Sequence, residues 1–237
     1  MKKYCLHPQH PQLSFPTEVD WLSTDTPENF IKSPPDHQEF WNTQPKITYR
    51  LNEYGFRCDT FQEVETRDSI TFIGCSNTLG LGMNKEKTWP FLLSNKLNLK
   101  EINLGIFGGS LDSAFRVYNE WQPINKSKIT CLFLPPNSRL EIIRRGGWLN
   151  VGHWTPTDDY LSEELLLDLI DTTLNEVRTD RNIAAIKYIA QQTQSKLVIV
   201  PYHSSFKGDY GRDFMHAGQE WHKATAAEFE KRIHRDN

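Results

Sequence analysis

The sequence predicts an α/β protein of the flavodoxin-like three-layer type, with a parallel sheet of four to five strands between two layers of helices. Three observations support this fold class. From about residue 69 onward, short β-branched and aromatic runs alternate with helical patterns. One run, residues 129–134, is apolar almost throughout, as a parallel strand buried on both faces would be. Glycine and polar residues follow several runs directly, as they do at the ligand-binding edge of open α/β sheets.

Strands and helices are expected in regular alternation. The predicted strands cover residues 70–73, 102–105, 129–134 and 197–200. The predicted helices cover residues 87–97, 111–121, 161–177, 181–192 and 218–233. In the third helix the apolar stripe consists of Leu166, Leu169, Ile170, Leu174 and Val177. Such an order implies a parallel sheet that is covered on both sides.

Residues 1–68 differ in composition from the rest of the chain. They contain seven prolines, which remove backbone donors, fix φ and interrupt every candidate helix. Their aromatic rings need a surface on which to pack. We therefore interpret residues 1–68 as an irregular Pro-rich arm packed on a main domain of residues 69–237. One short strand is expected within the arm, at residues 47–51.

Composition argues against several classes of function. A net charge of −3 gives no reason to expect a nucleic-acid or membrane partner. No apolar run approaches the roughly 20 residues that cross a bilayer, and no secretory signal is recognisable, so a cytoplasmic location is expected. The four cysteines are widely spaced, which favours reduced thiols over disulfides or zinc ligands. The histidines show no metal-like spacing, so we expect no metal or other cofactor. Nothing in the sequence predicts the oligomeric state.

Two distant segments carry residues suited to nucleophilic catalysis. Ser76 lies in a glycine-rich turn directly after the first predicted strand, and Asp213 and His216 lie just ahead of the last predicted helix. A hydroxyl, an imidazole and a carboxylate are the three parts of a serine hydrolase. The imidazole titrates near neutrality and can take the proton of the serine, while the carboxylate orients the ring. Since strand ends share one edge of a parallel sheet, we expect these side chains to meet there.

Four blocks of the sequence resemble those of the SGNH (GDSL-type) hydrolase family, over about residues 48–234. FIGCSNTLG at residues 72–80 is similar to the first block, NLGIFG at 103–108 to the second, LPPNS at 134–138 to the third and DFMHAG at 213–218 to the fourth. The resemblance implies a serine esterase with Ser76 as nucleophile, His216 as base and Asp213 orienting the base. It also implies an oxyanion hole formed by Ser76, Gly108 and Asn137.

The chain departs from the family pattern at two places, and these departures keep other functions open. Cys75 stands where the family has an acidic residue, and Pro135, Pro136 and Ser138 replace the usual glycine and aspartate around Asn137. One alternative is a degenerate domain of the same fold that binds a glycan or a protein partner without turnover. Another is a phosphate- or flavin-binding protein whose glycine-rich turn cradles a phosphate, an interpretation that assigns no role to Asp213 and His216.

The expected substrate is a small-molecule or carbohydrate ester, and the family resemblance favours small acyl groups on a carbohydrate. The segment RRGGWLNVGHW at residues 144–154 is expected to lie over the active-site edge. Its Trp148 and Trp154 are suited either to stack on a sugar or clamp a charged substrate, or to anchor the loop to the N-terminal arm. His203, just after the fourth strand, is either a substrate contact or a hydrogen-bonded loop histidine.

Overall fold

The structure, a computed structural model, describes residues 15–60, 66–144, 147–157, 161–202 and 208–235. Its N-terminal part contains β1 (Thr17–Val19), α1 (Pro27–Lys32), α2 (Pro35–Asn42) and β2 (Tyr49–Leu51). The alternating part begins with β3 (Ser69–Ile73), α3 (Ser76–Leu79), a 3-10 turn at Lys85–Lys87, α4 (Trp89–Lys96), β4 (Lys100–Asn103), α5 (Leu111–Asn125) and β5 (Ile129–Phe133). It continues with β6 (Leu140–Arg144), β7 (Gly147–Val151), α6 (Glu163–Leu169), α7 (Thr172–Gln192), β8 (Lys196–Val200) and α8 (Gln219–Arg235).

Four strands form the central sheet, in the order β4-β3-β5-β8, and every pairing between them is parallel. Counted along the chain, this order is 2-1-3-4, which is the flavodoxin-like arrangement. Ile70 of β3 lies opposite both Glu101 of β4 and Ile129 of β5, and Ile129 lies opposite Lys196 of β8. The predicted fold class is therefore confirmed. Within the described ranges the parallel sheet has four strands, the lower of the two expected numbers.

Helices cover both faces of this sheet, and successive strand residues face opposite layers. On one face, α5 and α7 pack over Ile73, Ile102 and Leu132. On the other face, α4 and α8 pack over Phe72, Phe133 and Val200. Each residue of β3 and β5 is buried, because both strands lie inside the sheet and are covered on both sides. The result is a three-layer α/β/α sandwich.

The N-terminal part is more regular than its prolines suggested. α1 and α2 each begin at a proline, a position where the missing N–H costs nothing and the fixed φ suits a helix. The Thr26 side chain caps α1 by accepting from the Asn29 N–H, and β2 pairs with β1 inside the expected strand region. The expectation that the prolines interrupt every helix here was wrong. The division of the chain into arm and main domain stays a prediction.

The long helical region after β7 divides at a different point from the predicted one. α6 ends at Leu169, and α7 begins after Asp171, whose carboxylate accepts from the N–H groups of Thr173 and Leu174. The predicted stripe is therefore broken. Leu166 and Ile170 are buried, whereas Leu174 and Val177 are 64% and 72% exposed. An aspartate cap restarts the helix and turns these two side chains outward.

The segment predicted as a loop over the active site contains an antiparallel hairpin, in which β6 pairs with β7 from Leu140 opposite Val151 to Arg144 opposite Gly147. Leu140 and Val151 are buried against Leu161, Leu166 and Ile170 of the following segment. The hairpin thus has a small apolar cluster of its own.

None of the helices in the described ranges combines the length and the apolar character that crossing a bilayer demands.

Candidate active site

Three side chains from two distant parts of the chain form a continuous hydrogen-bonded row. Ser76 Oγ lies 2.8 Å from His216 Nε2, and His216 Nδ1 lies 2.6 Å from Asp213 Oδ2. Ser76 is the first residue of α3, directly after β3, while Asp213 and His216 lie in the connection between β8 and α8. Both segments leave the carboxyl edge of the sheet, where an open α/β sheet collects its functional side chains.

The carboxylate of Asp213 is held by a complete set of donors. Its Oδ1 accepts from the backbone N–H groups of Met215 and His216, at 3.1 Å and 3.0 Å. Its Oδ2 accepts from the Thr24 hydroxyl at 2.7 Å as well as from the imidazole of His216. Burial by itself raises the pKa of the Asp213 carboxyl. The attraction of His216 and these hydrogen bonds outweigh burial and hold the pKa well below its usual range. Asp213 is thus ionised beside the imidazole at neutral pH.

Two backbone N–H groups beside Ser76 are free to receive a developing negative charge. Neither the Ser76 N–H nor the Gly108 N–H donates to another residue that the structure describes. Gly108 follows β4 with φ of +55°, in the left-handed region that favours glycine, and a Cβ there would lie 2.9 Å from the Trp154 ring. Ser76 and Gly108 line the same pocket. Backbone donors without an internal acceptor are what an oxyanion hole requires.

A pocket of about 310 Å³ opens in front of Ser76 and His216. Gly108 lies in its wall, and the apolar part of the wall consists of Leu81, Phe107, Trp154 and Met215. Ser23 and Thr24 close it from the N-terminal part of the chain, and Arg139 closes it from the connection after β5. The space is sufficient for a small acyl group together with part of its alcohol.

Two residues predicted for the site, Asn137 and Trp148, lie outside the pocket. Asn137 is exposed in the turn after β5, outside the residues that line the pocket, because the chain turns after Pro135-Pro136 and brings Arg139 there instead.

Trp148 lies away from the pocket, with the Arg116 guanidinium 4.7 Å from the centre of its ring, so it anchors the hairpin to α5. Trp154 lines the pocket. His203 lies outside the described residues.

Cys75, which stands where the resembled family has an acidic residue, has its side chain 1% exposed within the apolar cluster under α4 and α8. The described cysteines, Cys58, Cys75 and Cys131, are free buried thiols. Across the residues whose positions are described, no group of three histidine, cysteine or acidic side chains is placed to hold a metal ion.

Two contributions to this site were missed at the sequence level. Thr24 hydrogen-bonds Asp213 across 189 positions of the chain, and no local motif marks it. Arg139 lies two residues after the predicted Asn137, and its guanidinium lies 4.8 Å from the centre of the Trp154 ring. Arg139 stands beside the third block in the sequence, but the direction of its side chain depends on the path of the turn after β5.

Comparisons with known proteins return solved structures alone. No family model matches the chain, and no curated protein matches it. One similar structure is a protein of the lipolytic G-D-S-L family from Desulfitobacterium hafniense DCB-2, with 16% identity, a TM-score of 0.38 and coverage of 68% of this chain and 73% of that one. Another is the Clostridium thermocellum family 3 carbohydrate esterase, with 15% identity, a TM-score of 0.33 and coverage of 70% and 94%.

Proposed function

We propose that the protein is a serine esterase that acts through an acyl-Ser76 intermediate. One observation carries the proposal: the row of hydrogen bonds from Ser76 Oγ through the His216 ring to Asp213, with separations of 2.8 Å and 2.6 Å. A serine hydroxyl is a poor nucleophile until a base takes its proton, and this row supplies the base together with its orienting carboxylate.

In the proposed reaction, Ser76 Oγ attacks the ester carbonyl while His216 Nε2 takes the hydroxyl proton. Asp213 keeps the imidazole oriented through Nδ1 and stabilises its charged form. The oxygen of the tetrahedral intermediate receives hydrogen bonds from the Ser76 and Gly108 N–H groups. His216 then protonates the leaving alcohol. Water, activated by the same histidine, releases the acyl group and restores the serine.

The substrate is proposed to be an ester of a small molecule or a carbohydrate with a small acyl group. The pocket volume of about 310 Å³ supports a short acyl chain. The exposed ring of Trp154 beside Gly108 supports a substrate whose alcohol part stacks on an aromatic face.

The nucleophile assignment is tested by hydrolysis of p-nitrophenyl acetate. Ser76→Ala should lower kcat by roughly 10⁴-fold or more, because the hydroxyl that forms the covalent intermediate is absent. Ser23→Ala is the matched control, since Ser23 lines the same pocket without a hydrogen bond to histidine. A fluorophosphonate probe should label the wild type and the control but not Ser76→Ala.

Equal rates for wild type and Ser76→Ala would reject the nucleophile. A wild-type protein that neither turns over the ester nor reacts with the fluorophosphonate would instead support the alternative in which the domain binds a glycan or protein without turnover.

A further inference from the structure

Arg139 lies at the mouth of the catalytic pocket and has no counter-ion among the residues that the structure describes. The described residues that line this pocket include no carboxylate, and Asp213 behind it is engaged by His216 and Thr24. The nearest acid along the chain, Glu141, pairs with Arg116 at 2.7 Å and 2.8 Å instead. Burial raises the pKa of the neighbouring Tyr202 phenol above its ordinary value, so the phenol stays neutral and does not balance the charge.

The guanidinium is also held in place before any ligand binds. It stacks on Trp154 at 4.8 Å from the ring centre, and the flat faces of the two groups favour this arrangement. Its Nη1 is buried and has no hydrogen-bond partner within the described ranges. A buried donor on a charged group is costly to leave unsatisfied, and a planar anion that accepts from the fork would satisfy it.

We propose that Arg139 and Trp154 bind a negatively charged group of the substrate, so that the preferred substrate is an ester that carries a carboxylate or a similar anion close to the cleaved bond. The inference rests on the proposed esterase function and narrows its substrate class. The stacked guanidinium selects the charge, and the Trp154 face accepts the part of the substrate that joins the anion to the ester.

The charge preference is tested with a matched pair of esters, 4-acetoxybenzoate and methyl 4-acetoxybenzoate, which differ in one negative charge. Binding is measured by calorimetry on the Ser76→Ala protein, which keeps the pocket but not the nucleophile. The charged ester should bind at least about tenfold more tightly than the neutral one, because charge-assisted hydrogen bonds are the strong ones. Adding Arg139→Gln should abolish this difference, and Arg139→Lys should keep part of it.

Turnover supplies the second measurement. In the protein with Ser76 intact, Arg139→Gln should lower the ratio of kcat/KM for the charged ester to that for the neutral ester by at least about tenfold. Raising the salt concentration should lower the same ratio in the wild type, since screening weakens the attraction.

An equal loss for both esters would overturn the proposal, because it would place Arg139 on the oxyanion or in a structural role. So would an unchanged ratio, or no measurable binding of the charged ester. Hydrolysis that survives Ser76→Ala would reject Ser76 as the nucleophile, while the calorimetric comparison would still decide the anion preference.

Discussion

At the scale of single residues, Asp213 is where two parts of the chain that are distant in sequence meet. Its carboxylate binds the His216 ring, two backbone N–H groups of its own turn, and the hydroxyl of Thr24. The threonine and the imidazole share Oδ2. The position of that oxygen, and with it the angle of the ring toward Ser76, therefore depends on a residue outside the four motif blocks.

Thr24→Ala should lower kcat/KM for p-nitrophenyl acetate by about tenfold. A hydrogen bond to a charged group contributes roughly 1.5–3 kcal/mol, and its loss leaves Asp213 freer to turn. The pKa of the Asp213 carboxyl should rise in this variant, because the hydroxyl helps to hold it down.

Thr24→Ser is the control, since it keeps the hydroxyl and should recover most of the activity. If Ala and Ser variants at this position have the same rates, Thr24 does not position Asp213.

At the scale of elements, the β6–β7 hairpin is attached to α5 by a buried ion pair. Arg116 donates to Glu141 through Nε and Nη2, and the two side chains are 9% and 2% exposed. The same guanidinium contacts the Trp148 ring. Since the hairpin leads to Trp154, this pair helps to set one wall of the pocket.

Glu141→Gln should lower the free energy of unfolding by about 3–5 kcal/mol, because it leaves the buried Arg116 without its charged partner. Chemical denaturation measures the change. Glu18→Gln is the matched control, since the Glu18–Arg50 pair is well exposed and should contribute no more than about 1 kcal/mol. Similar losses from the two variants would contradict this account of the hairpin.

A buried histidine joins α8 to α4. His222 is fully buried, and its Nδ1 accepts from the Trp89 N–H at 3.1 Å. Burial, helped by repulsion from Arg57 and His216, lowers the pKa of His222 to about 3. The ring is therefore neutral in the folded protein at any pH near neutrality.

Stability should fall on acidification because of this histidine. An unfolded histidine takes up a proton near pH 6.5, whereas folded His222 does so only near pH 3. The contribution of neutral His222 to the free energy of unfolding is therefore full above pH 6.5 and is lost as the pH falls from 6.5 to 3. Over that range the slope of unfolding free energy against pH should be steeper for wild type than for His222→Gln, by up to about 1.4 kcal/mol per pH unit.

His234→Gln is the control for the pH series, since His234 lies at the exposed end of the same helix. It should leave the slope unchanged. A wild-type slope no steeper than that of His222→Gln would show that His222 is protonated in the folded state.

At the scale of the whole molecule, a buried network connects the N-terminal part to the loop that carries Asp213 and His216. Arg212 donates to both carboxylate oxygens of Asp25, at 2.9 Å and 2.6 Å, and its guanidinium lies 3.7 Å from the centre of the Trp21 ring. The Tyr49 hydroxyl also donates to Asp25 and accepts from the Gly82 N–H. The residue before Asp213 is thereby tied to the N-terminal segment.

Asp25→Asn should lower the free energy of unfolding by about 3–5 kcal/mol, since a buried arginine loses its counter-ion. Tryptophan fluorescence and esterase activity should be lost in one shared transition during denaturation, because the network joins both parts. Asp20→Asn is the control, as the Asp20–Lys46 pair is exposed. Two separate transitions would show that the N-terminal part unfolds independently.

The fold class was predictable because its signals are local. β-branched runs, helical spacing and the glycine turn after the first strand each span a few residues, and the alternation of strands with helices predicts that the strands are parallel. Errors arose where a single side chain decides the outcome. Asp171 restarts a helix inside an otherwise continuous apolar pattern, and the prolines at the first positions of α1 and α2 begin these helices.

The sequence by itself determined the three-layer α/β/α fold. It also indicated that Ser76, Asp213 and His216 act together, because each lies next to the end of a strand or the start of a helix at one edge of the predicted sheet. Only the tertiary structure decided what surrounds them: Thr24 on the carboxylate, and Arg139 in the pocket in place of Asn137. The physical reason is that such contacts join segments far apart in the chain. Their geometry depends on how loops cross the sheet edge and how large side chains pack, which no local pattern encodes.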